Sequence, residues 1–174
     1  MDLWKKQGHH KNGVMLPFNW NGSFDLELPY KSDGEILLAI LRALRAERAQ
    51  NIRYTDNQVK FNGGFFRWVS KSNRLNMISS GTITFQRNNE RMVRVQYYLS
   101  FWELFLLITV WVGGIFRLVV WDYSSTNHHT KLFIVVGMWF FLYGSNFALA
   151  LFGFSRLLKQ SLTSSNSRTT DKRN

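Results

Sequence analysis

Cysteine is absent from the 174-residue sequence. Its absence excludes disulfide bonds, cysteine-ligated zinc or iron–sulfur sites and a catalytic thiol. The length is enough for one small domain with membrane-spanning segments, but not for two full domains. The first ten residues also lack the apolar segment of a signal peptide. Membrane targeting would therefore depend on apolar segments later in the chain.

Charge is nearly absent from one part of the chain and abundant in the rest. The net charge is +11, of which residues 1–96 contribute +7 and residues 155–174 contribute +4. Between them, residues 97–154 carry two basic and two acidic side chains, which balance to zero. An apolar, neutral segment between two basic ones is typical of an integral membrane protein.

Two apolar segments are long enough to cross a bilayer. The segment 97–121 has only Glu103 and Arg117 as charged residues, and the segment 132–154 has none. About 20 helical residues cross a hydrocarbon core of about 30 Å. The alternative is a buried helical hairpin, which would need a large soluble protein around it. The pattern therefore favours a two-helix transmembrane hairpin.

Basic residues flank both open ends of this hairpin. Arg87, Arg91 and Arg94 precede the first span, and Arg156 and Lys159 follow the second, whereas the connector is almost neutral. The positive-inside rule places both termini in the cytoplasm and the connector outside, here at a bacterial inner membrane. We expect Arg87, Arg91, Arg94 and Lys159 to contact anionic lipid headgroups.

A small α+β domain is predicted over residues 24–96. The segment 24–28 alternates apolar and polar residues as a strand does. Ser32 and Glu35 fit a capping box that starts a helix predicted over 33–49. Short alternating segments then predict an antiparallel sheet under this helix, and the last one enters the first span without a linker. These segments are Ile52–Tyr54, Val59–Phe61 with a resumption over Phe65–Val69, Gly81–Gln86 and Met92–Tyr98.

The chain ends in a Ser/Thr-rich basic segment without apolar periodicity, which predicts disorder. In full, the predicted organisation is a flexible basic arm (1–23), a cytoplasmic α+β domain (24–96), a first transmembrane helix (97–121), an external loop (122–130), a second transmembrane helix (131–154) and a disordered basic tail (155–174).

No group of residues in the sequence has the composition of an active site. The four histidines are divided between the N-terminal arm, with His9 and His10, and the external loop, with His128 and His129. The Gly63-Gly64 pair lacks the Lys-Ser/Thr that completes a phosphate-binding loop. We therefore predict that the protein is not an enzyme and has no catalytic residues, metal site or cofactor.

Glu103 is a carboxylate within an apolar span, where charge is costly and often functional. Three roles are consistent with its position. The side chain could pair with Asn146 or Arg156 across the hairpin, contact a partner subunit, or take part in ion or proton conduction. Pairing within the hairpin is the favoured prediction.

Small residues in the spans suggest how the two helices pack. Gly144 and Ala148 are four residues apart, and Gly113 with Gly114 offers a facing groove on the first span. The spans are also rich in Phe and Trp, which two helices alone cannot bury. These aromatic side chains must face lipid, a second copy of the chain or another subunit.

The basic surface and the hairpin together lead to a prediction of function. The expected partners are a bilayer with anionic headgroups and other membrane subunits or a second copy, because no nucleic-acid recognition motif accompanies the arginines. We predict a non-catalytic accessory or assembly subunit that holds a basic domain at the cytoplasmic membrane face. The alternative is an oligomeric transport or ion-conducting element built from the hairpin.

Overall fold

The computed structural model of the protein describes residues 18–28, 31–63, 74–117 and 128–164. Within these ranges the chain forms five strands and three helices. The elements are β1 (Asn19–Glu27), α1 (Asp33–Ala46), β2 (Gln50–Tyr54), β3 (Gln58–Asn62), β4 (Ser80–Arg87), β5 (Met92–Ser100), α2 (Trp102–Ile115) and α3 (His128–Ser164). Their order confirms the predicted α+β class. The strand segment predicted over 65–69 lies outside the described residues.

The five strands form one antiparallel sheet in the order β1-β5-β4-β3-β2. The registers bring Asn19, Asn62, Ser80 and Ser100 together at one end of the sheet. We refer to this as the α2 end, because β5 leads into α2 there. The opposite end carries the β4–β5 turn over residues 88–91.

Strand β1 begins at Asn19, five residues before the predicted start at Phe24. Asn, Gly and Ser are poor strand formers, so the local sequence did not indicate this extension. Pairing with β5 along its whole length stabilises it instead. Gly22 lies opposite Tyr97, and a Cβ atom at Gly22 would come within 2.2 Å of the Tyr97 ring.

Helix α1 starts with the predicted capping box. The Ser32 hydroxyl accepts a hydrogen bond from the Glu35 amide, and the Glu35 carboxylate accepts one from the Ser32 amide. The helix ends at Ala46 rather than at the predicted Ala49, because Arg48 adopts a left-handed conformation with φ 55°.

The hydrophobic core lies between one face of the sheet and the helices α1 and α3. We call this the inner face. Strands β3, β4 and β5 contribute alternate buried side chains, and α1 contributes an apolar stripe at helical spacing. The buried side chains of these elements include Val59, Phe61, Ile83, Phe85, Val93, Val95, Leu99, Ile36, Ile40 and Leu44.

The C-terminal part of α3 completes this core, which corrects the predicted disordered tail over 155–174. Helix α3 continues ten residues past the predicted end of the second span at Phe154, as far as Ser164. Phe154, Leu158 and Leu162 are fully buried, and Arg156 lies on the exposed side. Apolar side chains at helical spacing therefore fold this segment onto the inner face, while residues 165–174 lie outside the described residues.

Helices α2 and α3 differ in length. Helix α2 follows β5 directly, as predicted, but its 14 residues extend only about 21 Å. Helix α3 has 37 residues and extends about 55 Å. In the described part of the chain, α3 alone is long and apolar enough to span a membrane. The predicted two-helix transmembrane hairpin is therefore not supported, and residues 118–127 between the helices are outside the described ranges.

Candidate membrane anchor and its junction with the sheet

Helices α2 and α3 pack against each other through aromatic side chains. On α3, Trp139 stacks on Tyr143 at 5.1 Å between ring centroids, and Tyr143 stacks on Phe147 at 5.8 Å. On α2, Phe105 meets both Trp139 and Tyr143 edge-on, and Phe101 meets Phe147 edge-on at 4.7 Å. Residues later in the α2 sequence thus contact residues earlier in the α3 sequence, which shows that the two helices are antiparallel.

A hydrogen bond between side chains joins the two helices. The Trp139 indole donates to the Thr109 hydroxyl at 3.0 Å, and this hydroxyl donates in turn to the Phe105 carbonyl at 2.7 Å. Sequence reasoning did not single out Thr109, and it included Trp139 only among the aromatic side chains that two helices alone cannot bury. The spacing of Trp139, Tyr143 and Phe147 by four residues was the available signal.

The glycines predicted to mediate helix packing do not do so within this chain. A Cβ atom built on Gly113, Gly114 or Gly144 would meet nothing within 4 Å. Ala148, the other member of the predicted set, is partly exposed. The physical reason is that stacked aromatic rings, rather than small residues, fill the space between α2 and α3. Close approach at these glycines is therefore a wrong prediction for the contact within one chain.

The outward side of α2 and α3 is apolar and exposed. In the most apolar 18-residue window of α3, 6% of the residues are buried inside the chain. Val110, Phe133 and Phe141 are 72%, 77% and 74% exposed, respectively. A core helix of a soluble domain would be mostly buried, and large exposed apolar patches mark contacts with membrane or protein. The described chain does not cover this surface.

Two predicted polar residues lie within or next to this apolar region. The Asn146 side-chain amide donates to the Leu142 carbonyl one turn earlier in the same helix at 2.7 Å. The Glu103 backbone amide donates to the Ser79 hydroxyl at 3.1 Å, and the Glu103 side chain is partly buried. Arg156 is exposed. Pairing of Glu103 with Asn146 or Arg156 stays a prediction.

A turn over residues 74–79 joins α1, the sheet and α2. The Arg74 amide donates to the Glu47 carboxylate just after α1 at 3.0 Å. At the other end of the turn, the Ser79 amide donates to the Ser100 carbonyl of β5, while its hydroxyl receives the Glu103 amide of α2. The end of α1 and the start of α2 are therefore both tied to the α2 end of the sheet.

The four residues predicted to contact lipid headgroups lie away from this end. Arg94 is six residues before the end of β5, which is about 20 Å along the strand. Arg87 and Arg91 are farther still, at the β4–β5 turn. The Lys159 ammonium lies 5.3 Å from the centre of the Phe24 ring, well along the inner face. The contact of these four residues with headgroups stays a prediction, but β5 carries the residues that precede α2 in sequence far from it in space.

Ion pairs engage two of these arginines instead. Arg94 forms a two-pronged pair with Asp25, with N–O distances of 2.9 and 3.2 Å. The hydrogen bond from Arg94 lowers the pKa of the Asp25 carboxyl below its usual range. Arg87 pairs with Asp33 at 3.1 Å and also donates to the Lys31 carbonyl.

Lys31 connects this opposite end to the last turn of α3. Its side chain is only 7% exposed, and its ammonium donates to the Leu162 carbonyl. A cation near the C-terminus of a helix interacts favourably with the helix dipole. Burial lowers the pKa of Lys31 nevertheless, because the charged form loses water contacts.

No cluster of three or more His, Asp or Glu side chains suited to a metal ion occurs among the described residues. The predicted external loop and the N-terminal histidines fall largely outside that part of the chain. Comparisons with protein-family models, curated proteins and solved structures found no match. Function therefore has to be inferred from the exposed apolar helices and their junction with the sheet.

Proposed function

We propose that this chain is a non-catalytic integral membrane protein that acts as an accessory or assembly subunit of a larger membrane complex. The observation that carries the proposal is the low burial of the apolar part of α3, where Phe133, Phe140 and Phe141 are exposed. Exposed to water, this apolar surface would favour aggregation. A bilayer or another membrane subunit would cover it and remove it from water.

The length of α3 fits two tasks in one helix. A hydrocarbon core of about 30 Å takes up about 20 of its residues. The part that ends near Phe147 is apolar and mostly unburied, whereas from Phe154 onward one side of the helix is buried in the core, through Phe154, Leu158 and Leu162. One continuous helix thus anchors the chain and holds the sheet domain beside the membrane.

We further propose that α2 enters the bilayer beside α3, with both termini in the cytoplasm. Two features support this topology: the antiparallel packing of α2 on α3, and the apolar sequence that continues past α2 as Leu118–Trp121. The neutral connector between two basic flanks agrees with this orientation.

Single cysteines test the topology, because the natural chain contains none. We expect a membrane-impermeant maleimide to label Ser125→Cys in intact cells. The same reagent should label Ser23→Cys, an exposed position of β1, only after the membrane is opened. Equal labelling of both positions in intact cells, or release of the chain by alkaline carbonate, would contradict the proposed anchoring.

The role as a subunit is tested by purification in mild detergent at native expression levels. We expect a stable complex that contains this chain and at least one different membrane protein in fixed stoichiometry. A homo-oligomer that makes liposomes leak ions would favour the conducting alternative instead. A monomer recovered alone under several gentle conditions would refute the subunit role while leaving the membrane anchor intact.

A further inference from the structure

Three arginines lie at the C-terminal end of α1, toward the α2 end of the sheet: Arg42 and Arg45 are in the helix, and Arg48 follows it by two residues. Arg42, Arg45 and Arg48 are all exposed, and none of them forms an ion pair with another described residue. Arg87 and Arg94, toward the opposite end of the sheet, are both paired with aspartates. Exposed cations without a salt bridge therefore include three arginines at the end from which the apolar helices leave, besides Arg53, Lys60 and Arg91 elsewhere on the described surface.

The neighbouring acidic side chain leaves this charge in excess. Glu47 lies between Arg45 and Arg48 in sequence, and its carboxylate accepts the Arg74 amide in the turn next to α2. Three guanidinium groups against one carboxylate give a positive patch, which we call the α1 arginine patch (Arg42, Arg45 and Arg48).

Exposed aromatic rings mark the same end of the sheet. Trp20 pairs with Leu99 in the register and is 40% exposed. Tyr98 is 43% exposed, and Trp102, the first residue of α2, is 47% exposed. Trp and Tyr are enriched where a membrane protein passes from hydrocarbon to headgroups. These three rings lie at the boundary between the polar sheet and the apolar helices, which is the level of the headgroups if α3 crosses the bilayer.

We propose that the α1 arginine patch is a binding surface for anionic phospholipid headgroups. The inference rests on the proposed membrane anchoring and assigns the headgroup contact to α1 instead of to Arg87, Arg91, Arg94 and Lys159. Lipid is favoured as the partner because the patch is positive and the headgroups are negative. The patch also lies at the same end of the sheet as Trp20, Tyr98 and Trp102, where the apolar helix α2 begins. Headgroup binding there would fix the tilt of the sheet domain on the membrane.

A double substitution tests the patch against a control with the same loss of charge. Arg45→Gln with Arg48→Gln removes two patch charges, and Arg91→Gln with Lys159→Gln removes two exposed charges toward the opposite end. Each protein is placed in nanodiscs of phosphatidylcholine with increasing brominated phosphatidylglycerol. Quenching of tryptophan fluorescence then gives the preference for the anionic lipid. Circular dichroism confirms that the variants keep their fold.

We expect the natural protein to prefer phosphatidylglycerol and the control variant to keep that preference. The patch variant should lose up to about 25-fold, since each arginine near an anionic surface contributes about fivefold. Added salt should weaken the preference of the natural protein, because surface charges are screened.

Three results would overturn the inference. They are an equal loss in both variants, no preference in the natural protein, and displacement of phosphatidylglycerol from the patch by a labelled single-stranded oligonucleotide. Each of these leaves the membrane anchor standing if the protein inserts into the nanodiscs. Failure of the natural protein to insert at all would instead refute the proposed function, so the two failures are distinguishable.

Discussion

At the scale of single residues, the hydrogen bond from Trp139 to Thr109 joins α2 to α3. Thr109→Val keeps the shape of the side chain and removes the acceptor, so the indole N–H loses its partner. Hydrogen bonds between membrane helices are worth about 0.5–2 kcal/mol, and we expect a loss of stability in that range. Reversible unfolding in mixed detergent micelles measures it.

Thr163→Val is the matched control, because the Thr163 hydroxyl bonds only to carbonyls of its own helix. This change should leave stability nearly unaltered. An equal loss in both variants would show that the Trp139 bond does not stabilise the helix pair.

Lys31 gives the protein an expected pH dependence. Burial lowers its pKa in the folded state below the ordinary value of 10.5. Between the lowered pKa and 10.5 the unfolded chain binds more protons, so the free energy of unfolding should rise with pH in that window. Below the window Lys31 is protonated in both states, so its contribution to the free energy of unfolding does not change with pH.

Lys31→Met should remove this alkaline rise, whereas Lys60→Met, at an exposed position, should retain it. The free energy of unfolding of both variants is measured by denaturant titration between pH 8 and pH 11, at intervals of about 0.5 pH unit. A rise of the same size in the Lys31→Met variant would assign the effect to other groups.

At the scale of elements, α3 is one helix with two different surroundings. Phe154 is fully buried, stacks on Phe61 at 5.8 Å and meets Tyr97 at 5.4 Å. Phe154→Ala should therefore cost about 3–5 kcal/mol of stability. Phe152→Ala removes the same atoms from a side chain that is 76% exposed, and should cost little in detergent. Thermal unfolding followed by near-ultraviolet circular dichroism measures both variants. Equal losses of melting temperature would contradict the placement of Phe154 in the core and Phe152 outside it.

The turn between β3 and β4 depends on a glycine. A Cβ atom at Gly63 would lie 1.8 Å from the Ile78 carbonyl oxygen, which is backbone and cannot rotate away. Gly63→Ala should cost about 1–3 kcal/mol or more, because the turn must move. Gly34→Ala, where the nearest atom is 4.0 Å away in the first turn of α1, should instead stabilise by up to about 1 kcal/mol. Denaturant titration of both variants gives the sign, and destabilisation by both would refute the steric reason.

Local signals predicted some of these elements and missed others. The start of α1 was predictable because Ser32 and Glu35 bond to each other's backbone within one turn. Strand β5 was predictable because its alternation continues up to the helix. The first half of β1 and the end of α3 were missed, since the partners that stabilise them lie far along the chain. Leu162, for instance, meets Lys31 across 131 residues.

The candidate site was predictable only in its composition. Apolar length and flanking charge indicated a membrane protein, and the exposed surface of α3 agrees with that reading. Which charges lie near the apolar helices depends on strand direction, so the distance of Arg87, Arg91 and Arg94 from α2 could not be read from their place in the sequence. The helix contact was assigned to glycines because the spacing of Trp139, Tyr143 and Phe147 by four residues places their rings on one side of α3 but does not show which helix they meet.

At the scale of the whole molecule, the sheet domain and the apolar helices are not separate modules. Helix α3 runs through both, so the inner face of the sheet is covered only after the last described residues have been synthesised. Leu158 and Leu162 then enter a core that also contains residues of α1 and β3. The sheet domain and the apolar helices should consequently unfold together as one cooperative unit.

Two truncations test whether the C-terminal part of α3 belongs to the core or is a dispensable tail. A chain that stops after Phe154 loses Leu157, Leu158 and Leu162, each worth about 1.5–3 kcal/mol when buried, and also the bond from Lys31. The sum is comparable to the entire stability of a typical domain, about 5–15 kcal/mol, so this chain should aggregate or unfold. A chain that stops after Ser164 retains every described contact and should elute as a monodisperse peak with an unchanged melting temperature. Size-exclusion chromatography in mild detergent decides between them, and equal behaviour of both truncations would show that the end of α3 does not belong to the core.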